Sequence, residues 1–321
     1  MTAQSRTNSS RPVVSVIVPA FNSARFVIET LQSVRWQTYR PIELIVVDDQ
    51  STDNTRELVT CWAGEIQDAE FVVRLLRNPR KGAIAARNFG MQQAGGEFLQ
   101  YLDHDDLLHK DKLRVQVDQS LVEDADLVVS RNRPFQERTE IACILAKDVE
   151  YLPLSELHIP EPYYARMRWS LLAWLIRRDL MMRVGLWNET IGMTDYEMDT
   201  RLKLAARRVA YTNALLSFWC TATPNSDSKG PARKILGWRD EVARVVCQHL
   251  VSHGIRDPQE YFHLSRFAGV TSRRWLRMLR PMAAMQSLAQ AAGLAMRGCA
   301  YWSTGRPAQE YSASVDSDSG N

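Results

Sequence analysis

Residues 13–22 read VVSVIVPAFN, and residues 43–53 read ELIVVDDQSTD. Both stretches begin as apolar runs rich in β-branched residues and end in turn-forming or polar residues, which predicts two buried strands that run into loops. Between them, residues 24–37 carry apolar side chains at helical spacing, among them Val27, Leu31 and Val34. A strand, a helix and a second strand in this order predict a βαβ unit with parallel strands.

The same alternation continues to residue 130 and predicts an α/β fold with a mostly parallel, Rossmann-like central sheet and flanking helices. From residue 232 onward the pattern is helical, and Pro281 is expected to divide that helical stretch. The predicted regions are a disordered N-terminus at 1–12, an α/β domain at 13–230, a helical C-terminal region at 231–303 and a disordered tail at 304–321.

Composition narrows the class of protein. The chain has 321 residues, 45% hydrophobic and 24% charged, with a formal net charge of +3. These values are ordinary for a globular protein and argue against the strong positive field typical of nucleic-acid binding. Five cysteines without a CxxC spacing provide no zinc signature and fit a reducing compartment. With no secretory signal and no run of 18 apolar residues in the sequence, the expected location is the cytoplasm.

Polar loops follow the predicted strands, at the sheet edge where α/β proteins bind ligands. Neither a GxGxxG nor a GxxxxGK[ST] motif occurs, so a dinucleotide site and a P-loop are both disfavoured. The loop after strand 97–102 instead begins Asp103-His104-Asp105-Asp106. Carboxylates repel phosphate, so an acidic loop beside a phosphate ligand needs a metal, and Asp103 with Asp105 suits Mg²⁺ or Mn²⁺. The alternative is that the acidic run opens a helix, with Asp106 as its cap.

Four sequence blocks stand in a fixed order along the chain. They are VSVIVPAFN at 14–22, VVDDQSTD at 46–53, ARNFG at 86–90 after Gly82, and GEFLQYLDHDD at 96–106. Together these blocks resemble the family 2 glycosyltransferases of the GT-A fold. The resemblance is strong over residues 12–130, continues more weakly to about residue 202, and is absent after about residue 230. The resemblance implies an enzyme that uses a nucleotide-sugar donor and a divalent metal, Mg²⁺ or Mn²⁺.

The resemblance also implies a set of donor contacts. Phe21 stands where the family has an aromatic ring, usually Tyr, that packs on the base; the alternative is a core phenylalanine. Asp49 matches the acid that accepts the uracil imide N–H. Arg87 matches an arginine that reaches base or phosphate, and its alternative is a helix-surface arginine. The predicted nucleotide-binding residues are Pro19, Ala20, Phe21, Asn22, Asp48, Asp49, Arg87 and Asp103.

Asp103 and Asp105 map onto the metal motif of the family. The resemblance makes Asp105 the direct ligand and places Asp103 nearer the ribose or a metal-bound water. Ser51 and Asp53 in the second block have two open interpretations, as ligand contacts or as turn and cap residues.

The family's general base is the Asp of a Glu-Asp pair that opens a helix. Residues 192–201 read GMTDYEMDTR, so Asp195 matches the base while Thr194 replaces the supporting Glu. Glu197 and Asp199 are competing candidates for the base. A second departure lies in residues 220–228, where Thr221 and Thr223 stand in place of an Arg and a His that contact diphosphate or metal in many relatives.

Residues 261–309 contain no Asp or Glu but seven arginines. Within 266–302 the apolar residues recur at helical spacing, which is typical of a basic amphipathic helix on an anionic membrane surface. The alternative is a helical pair whose Met and Leu stripe packs on the rest of the protein. If the first interpretation is right, the protein is peripheral at the inner face of the cell membrane.

The sequence therefore predicts an inverting, metal-dependent glycosyltransferase that moves a sugar from a nucleotide sugar, expected to be a UDP-sugar, to a glycan or lipid-linked acceptor in polysaccharide or glycoconjugate biosynthesis. One alternative is a catalytically inactive relative that binds a nucleotide sugar or glycan, motivated by Thr194, Thr221 and Thr223. A nucleotidyltransferase is less well supported, because Pro19–Asn22 is not the glycine-rich, basic loop that it requires.

Overall fold

The computed structural model describes residues 11–136, 148–151, 171–222, 232–277 and 281–302. The chain divides into two compact units. The first unit comprises Met1–Pro153, Trp169–Trp187 and Arg207–Thr223, and the second comprises Leu154–Arg168, Asn188–Ala206 and Pro224–Asn321.

The first unit is an α/β structure, as the alternating sequence pattern predicts. Its strands are β1 Val14–Ala20, β2 Ile42–Asp48, β3 Phe71–Arg77, β4 Phe98–Tyr101, β5 Leu107–Leu108, β6 Leu127–Phe135, β7 Glu150–Tyr151, β8 Trp174–Arg177 and β9 Val209–Cys220. Its helices are α1 Val27–Arg35, α2 Thr55–Ile66, α3 Ala83–Gln93, α4 Lys112–Glu123 and α5 Arg178–Val184, with a 3₁₀ turn at Leu171–Ala173.

The strands form one sheet in the order β3-β2-β1-β4-β8-β6-β9-β5, and β7 pairs with β9. The half that contains β3, β2, β1 and β4 is parallel, as expected from its helical crossovers. Beyond β4 the sheet is mixed, because β8 lies antiparallel between β4 and β6.

The centre of the sheet is buried on both faces. All seven residues of β1 are buried, which explains why this strand reads as a continuous apolar run and not as an alternating one. Helix α3 approaches β1 at Gly90, where a Cβ atom would lie 2.5 Å from Ile17 Cγ2. Glycine at this position allows the helix to pack directly on the strand.

The second unit is helical in its described residues. It contains α6 Thr194–Ala205, α7 Ala232–Ser252, α8 Pro258–Arg277 and α9 Pro281–Trp302. Pro281 is the first residue of α9, a position where the missing N–H costs nothing, so the predicted break at this proline is confirmed. The apolar core of the unit consists of Ile191, Tyr196, Val242, Val246, Leu250, Tyr261, Leu264, Ala268, Ala291 and Leu294. No helix in the described part of the chain has the length and apolar character needed to cross a membrane.

The predicted disordered ends, 1–12 and 304–321, lie outside the described residues except for Arg11 and Pro12. The predicted domain limits at 13–230 and 231–303 stay predictions. The compact units group residues 188–206 with the C-terminal helices.

Candidate active site

The loops that carry the sequence motifs follow one edge of the parallel half of the sheet. Ala20 at the end of β1 is in register with Asp48 at the end of β2, and Ile17 is in register with Tyr101 at the end of β4. The loops that begin at Phe21, Asp49 and Leu102 therefore leave neighbouring strands at their carboxyl ends. This edge is where the sequence places the ligand site.

Side-chain hydrogen bonds fasten the β1 loop to the β2 loop. The Asn22 amide donates to Ser51 Oγ at 3.0 Å, and the Thr52 amide donates to Asn22 Oδ1 at 2.8 Å. Asn22 has a φ of 47°, a left-handed conformation that asparagine tolerates better than most residues. Asp53 accepts from the Ala24 amide at 3.2 Å. Of the two interpretations of Ser51 and Asp53, these bonds favour the turn residues.

Phe21 is 39% exposed, so its ring does not belong to the core. The Lys81 ammonium lies 4.7 Å from the ring centroid, a cation–π contact at the surface. Pro19 and Ala20, in contrast, are buried as the last residues of β1. These two residues therefore shape the loop through their backbone, while the Phe21 ring is accessible for stacking.

Asp49 is a structural anchor as well as a candidate ligand contact. Its carboxylate is only 5% exposed and accepts from Asn78 Nδ2 at 2.6 Å. The Gly82 amide, just before α3, donates to Asp49 Oδ1 at 2.8 Å and to Oδ2 at 2.9 Å. A carboxylate has about four acceptor positions, so Oδ2 retains capacity for a further donor. Asp48 lies beside it, 3% exposed, and accepts from the Ser51 amide at 3.2 Å.

Arg87 is 8% exposed, so the alternative of a helix-surface arginine is wrong. Its Nη2 donates to Asp103 Oδ1 at 2.7 Å, and its guanidinium lies 5.4 Å from the centre of the Trp187 ring. The backbone of Trp187 is held by Asn88 through two hydrogen bonds, N to Oδ1 at 2.8 Å and Nδ2 to O at 3.1 Å. Trp187 lies in the stretch of weaker resemblance, and no role was predicted for it from the sequence.

The three acids after β4 differ in their surroundings. The side chain of Asp103 is 34% exposed and Asp105 is half-buried, whereas Asp106 is buried and accepts from the Cys220 amide at 2.8 Å. Asp106 leads into β5 and α4 begins only at Lys112, so the expectation that Asp106 caps a helix is wrong. Burial, and next the negative charges of Asp103 and Asp105, raise the pKa of Asp106 well above its usual range.

This donor set fits a divalent cation that the ligand helps to bind. Arg87 pairs with one oxygen of Asp103, and the half-buried Asp105 is the second acid of this loop that could contact a cation. The described residues contain no group of three or more His, Cys, Asp or Glu side chains that could hold a metal. A cation here would take one or two carboxylates from the protein and its other oxygens from phosphate and water, the arrangement that Mg²⁺ commonly adopts.

In the loop after β9, the structure describes Thr221, one of the two threonines that replace the Arg and His of many relatives. The Thr221 hydroxyl donates to the Phe135 carbonyl at 3.1 Å, and the Thr221 amide donates to the same oxygen at 3.0 Å. Thr221 therefore has a turn-stabilising role in this structure. Thr223 lies outside the described residues. Lys229 and Arg233 are the cations that the sequence offers for contacting the diphosphate in place of the missing Arg and His, and Lys229 and the side chain of Arg233 also lie outside the described residues.

In the second unit, α6 carries the three acids that compete for the role of base. Asp195 is half-buried in the first turn of α6. Glu197 is 2% exposed and accepts from Arg201 Nη2 at 2.9 Å and from His249 Nε2 at 2.9 Å. Burial raises the pKa of Glu197, but the hydrogen bonds from His249 and Arg201 outweigh it, so the net shift is downward. Asp199 is fully buried and pairs with Lys203 Nζ at 2.5 Å. Glu197 joins α6 to α7 through His249, whereas Asp199 and Lys203 form an ion pair within α6, where burial raises the pKa of Asp199.

Comparison with solved structures defines the class of fold. The structure of S. aureus TarS 1–349 in complex with UDP-GlcNAc superimposes with a TM-score of 0.59 at 16% identity, over 91% of this chain and 92% of that one. Mannosyltransferase PcManGT from Pyrobaculum calidifontis, in complex with GDP-Man and Mn²⁺, gives a TM-score of 0.55 at 22% identity, over 92% and 80%. The chain thus has the GT-A glycosyltransferase fold, as the sequence predicts.

Comparison of sequences identifies the family. Residues 15–164, a little under half of the chain, match the model of Glycosyl transferase family 2, which supports the family predicted from the four sequence blocks. Glycosyltransferase GlyG of Streptococcus pneumoniae serotype 4 is 36% identical over 126 residues, which are 39% of this chain and 40% of GlyG. The UDP-Glc:alpha-D-GlcNAc-diphosphoundecaprenol beta-1,3-glucosyltransferase WfgD of Escherichia coli is 39% identical over 110 residues, 34% of this chain and 41% of WfgD. The matched segment spans less than half the length of either relative.

Proposed function

We propose that this chain is an inverting, metal-dependent glycosyltransferase that moves a sugar from a UDP-sugar to a glycan or lipid-linked acceptor. One observation carries the donor half of this proposal. At a single sheet edge the first unit presents an exposed aromatic ring, Phe21, an anchored carboxylate, Asp49, and the acid pair Asp103 and Asp105. Base, imide and diphosphate are the chemical groups that these side chains match.

The choice of UDP depends on Asp49. A carboxylate held by Asn78 and the Gly82 amide is preorganised, so accepting the uracil imide N–H costs little ordering. TarS is solved with UDP-GlcNAc and with UDP, which supports the choice, while PcManGT is solved with GDP-Man. A binding assay that compares donor nucleotides tests this choice directly.

Asp105 is proposed as the direct ligand to Mg²⁺ or Mn²⁺, with Asp103 toward the ribose or a metal-bound water. A bound divalent cation would neutralise charge on the departing diphosphate. Arg87 remains positively charged and holds one oxygen of Asp103, which sets the direction of that side chain. The PcManGT complex contains Mn²⁺, which supports a metal in this fold.

Asp195 is proposed as the general base that takes the proton of the acceptor hydroxyl. Inversion requires such a base, because the acceptor oxygen attacks the anomeric carbon in a single displacement. Its two rivals are buried, Glu197 beside Arg201 and His249 and Asp199 beside Lys203, so an acceptor hydroxyl cannot reach them without a rearrangement of the helix. Asp195 is the most exposed of the three acids.

The acceptor is proposed from the relatives and not from geometry. The name of WfgD describes an acceptor on diphosphoundecaprenol, and TuaG of Bacillus subtilis is named for teichuronic acid biosynthesis. A role in polysaccharide or glycoconjugate assembly, at the inner face of the cell membrane, follows for this chain as part of the proposal.

A binding panel tests the donor site. Thermal stabilisation of the purified chain is measured with UDP-, GDP-, ADP- and CDP-sugars, each with and without Mn²⁺. UDP-sugars are expected to raise Tm only with Mn²⁺, and Asp105→Asn is expected to remove that increase. The matched control is Asp124→Asn, an acid whose side chain is 81% exposed at the end of α4. Equal stabilisation of Asp105→Asn and the parent by UDP with Mn²⁺ would refute the metal assignment.

A binding-only relative is the second candidate. Thr194 replaces the supporting Glu. The Thr221 hydroxyl donates a hydrogen bond to the Phe135 carbonyl, so in this structure its proton is not available to a phosphate. If the panel finds a donor but the parent forms no product with lipid-linked or free glycan acceptors, this second function replaces the first.

A further inference from the structure

Helix α9 of the second unit has one wholly apolar side exposed to solvent. Met282, Met285, Leu288 and Met296 are 70%, 64%, 59% and 66% exposed. Ala289, Ala292 and Cys299 are exposed as well, and these positions recur at intervals of three or four residues, so they share one side of the helix. We call this side, residues 282, 285, 288, 289, 292, 296 and 299, the outer face of α9. An exposed apolar stripe of this length is unusual on a monomeric protein.

The opposite side of α9 is already used for packing. Ala291 and Leu294 are buried in the core of the unit, and Ser287 Oγ donates to Asp240 Oδ2 of α7 at 2.6 Å. Gln290 Nε2 donates to the Asp240 carbonyl at 2.9 Å. Among the described members of the Met and Leu stripe, Leu294 is buried, whereas Met282, Met285, Leu288 and Met296 are exposed.

The segment of the chain that contains α9 carries charge of one sign. Residues 261–309 contain seven arginines and no acid. Arg266 and Arg297 are exposed. The other arginines before Tyr301, at 273, 274, 277 and 280, occur at the end of α8 and just before the first residue of α9. They are thus adjacent in the chain to the end of α9 that carries Met282 and Met285.

We propose that the outer face of α9 lies on an anionic lipid bilayer, with its methionines at the level of the acyl chains and the exposed Arg266 and Arg297 among the lipid phosphates. Flexible, apolar methionine side chains adapt to an irregular interface, and arginine pairs well with phosphate. A second copy of the chain is a poorer occupant. It would bring two acid-free segments together, and their like charges would repel without lipid phosphate to neutralise them.

This interaction goes beyond the proposed transfer reaction, and its test does not require turnover. A lipid-linked acceptor would gain from it, because a surface-bound enzyme meets the acceptor head group at the membrane. UDP binding is measured on the same preparations, so a failure of the donor site and a failure of the membrane surface are seen separately.

The experiment is flotation of the full chain with vesicles of phosphatidylcholine alone and of phosphatidylcholine with phosphatidylglycerol at about 3:1, at about 0.1 M and 0.5 M salt. The parent is expected to float with the anionic vesicles at low salt. Met282→Gln, Met285→Gln and Met296→Gln combined are expected to lower the partition coefficient by at least about tenfold. The matched control combines Met182→Gln and Val122→Gln, whose side chains are 60% and 84% exposed in the first unit. The control is expected to float like the parent.

A second variant tests the charge. Arg266→Gln with Arg297→Gln is expected to lower binding to anionic vesicles by about fivefold for each arginine, with little effect on neutral vesicles. The Tm of each variant is compared with that of the parent, because Met→Gln at exposed positions should leave folding intact. Three results would overturn the proposal. The first is that the parent does not float with anionic vesicles. The second is that the methionine variant floats as well as the parent. The third is that light scattering shows a dimer of the parent that the methionine variant does not form.

Discussion

Substitution of the three acids of α6 separates the proposed base from its structural neighbours. Asp195→Asn, Glu197→Gln and Asp199→Asn each remove one negative charge and keep the shape of the side chain. The structure predicts opposite outcomes, because Glu197 and Asp199 are buried in ion pairs while Asp195 is partly exposed. Asp195→Asn should lower turnover, whereas Glu197→Gln and Asp199→Asn should lower stability.

The expected magnitudes follow from the contacts. Asp195→Asn is expected to lower kcat by about 10²–10⁴ and to leave Tm and UDP affinity near the parent values, because a base acts in the transfer step. Glu197→Gln weakens hydrogen bonds to Arg201 and His249, each worth about 1.5–3 kcal/mol with a charged partner, of which about half remain with the amide oxygen. A loss of about 1.5–3 kcal/mol lowers Tm by roughly 3–12 °C in a unit of this size.

Asp199→Asn is expected to be the most destabilising of the three. It leaves the Lys203 ammonium, itself 6% exposed, without its counter-charge. Removing one partner of a buried ion pair costs about 3–5 kcal/mol. The double substitution Asp199→Asn with Lys203→Met should recover part of that loss, which distinguishes an unpaired charge from a lost catalytic group.

The assay combines differential scanning fluorimetry, UDP titration with Mn²⁺ and single-turnover transfer at saturating donor. Rates are compared at a temperature well below the Tm of the least stable variant, so that unfolding does not count as lost catalysis. The reasoning fails if Asp195→Asn turns over at the parent rate, or if Glu197→Gln keeps the parent Tm while its kcat falls by more than a hundredfold. The second result would make Glu197 the base.

Three further outcomes are expected. Gly192→Ala should destabilise the second unit, because its Cβ would lie 1.9 Å from the Trp238 ring, whereas Gly64→Ala, with no atom within 4 Å, should be neutral or stabilising by about 0.5–1 kcal/mol in thermal denaturation. Asp49→Ala should weaken UDP by about tenfold to a hundredfold and pyrophosphate much less in calorimetric titration, and equal losses would make Asp49 purely structural. The lowered pKa of Glu197 contributes stability above its unfolded pKa of about 4.3, so the Tm difference between the parent and Glu197→Gln should shrink as pH falls from about 5 to 3. A difference that stays constant over that range would contradict the ion pair.

Much of the fold was predictable because its determinants are local. The β-branched runs at 14–20 and 42–48 are buried on both faces, and burial on both faces is what makes a strand read as a continuous apolar run. The acidic and polar loops were placed at one edge by a general rule of parallel sheets, which needs only the order of the elements. Resemblance in four short blocks then predicted the family, which the domain match to residues 15–164 confirms.

The roles of individual site residues required the tertiary structure. Arg87 had the same pattern whether it faced solvent or Asp103, and only packing against Trp187, 100 residues further along the chain, decided between them. Asp106 looked like a helix cap because its partner, the Cys220 amide, is 114 residues away. Neither Trp187 nor the Cys220 amide could be identified as a partner from the local periodicity of the sequence.

The sequence by itself determined the α/β architecture, the family, the acidic loop and the acid-free C-terminal segment, since each depends on residue type and short-range order. Only the tertiary structure decided which acid of α6 is left unburied, which side of α9 faces solvent, and which cation holds Asp103. The physical reason is the same in each case. Periodicity shows that a helix has a buried side, but burial and pairing are set by elements distant in the chain, and their approach depends on the free energy of the whole fold.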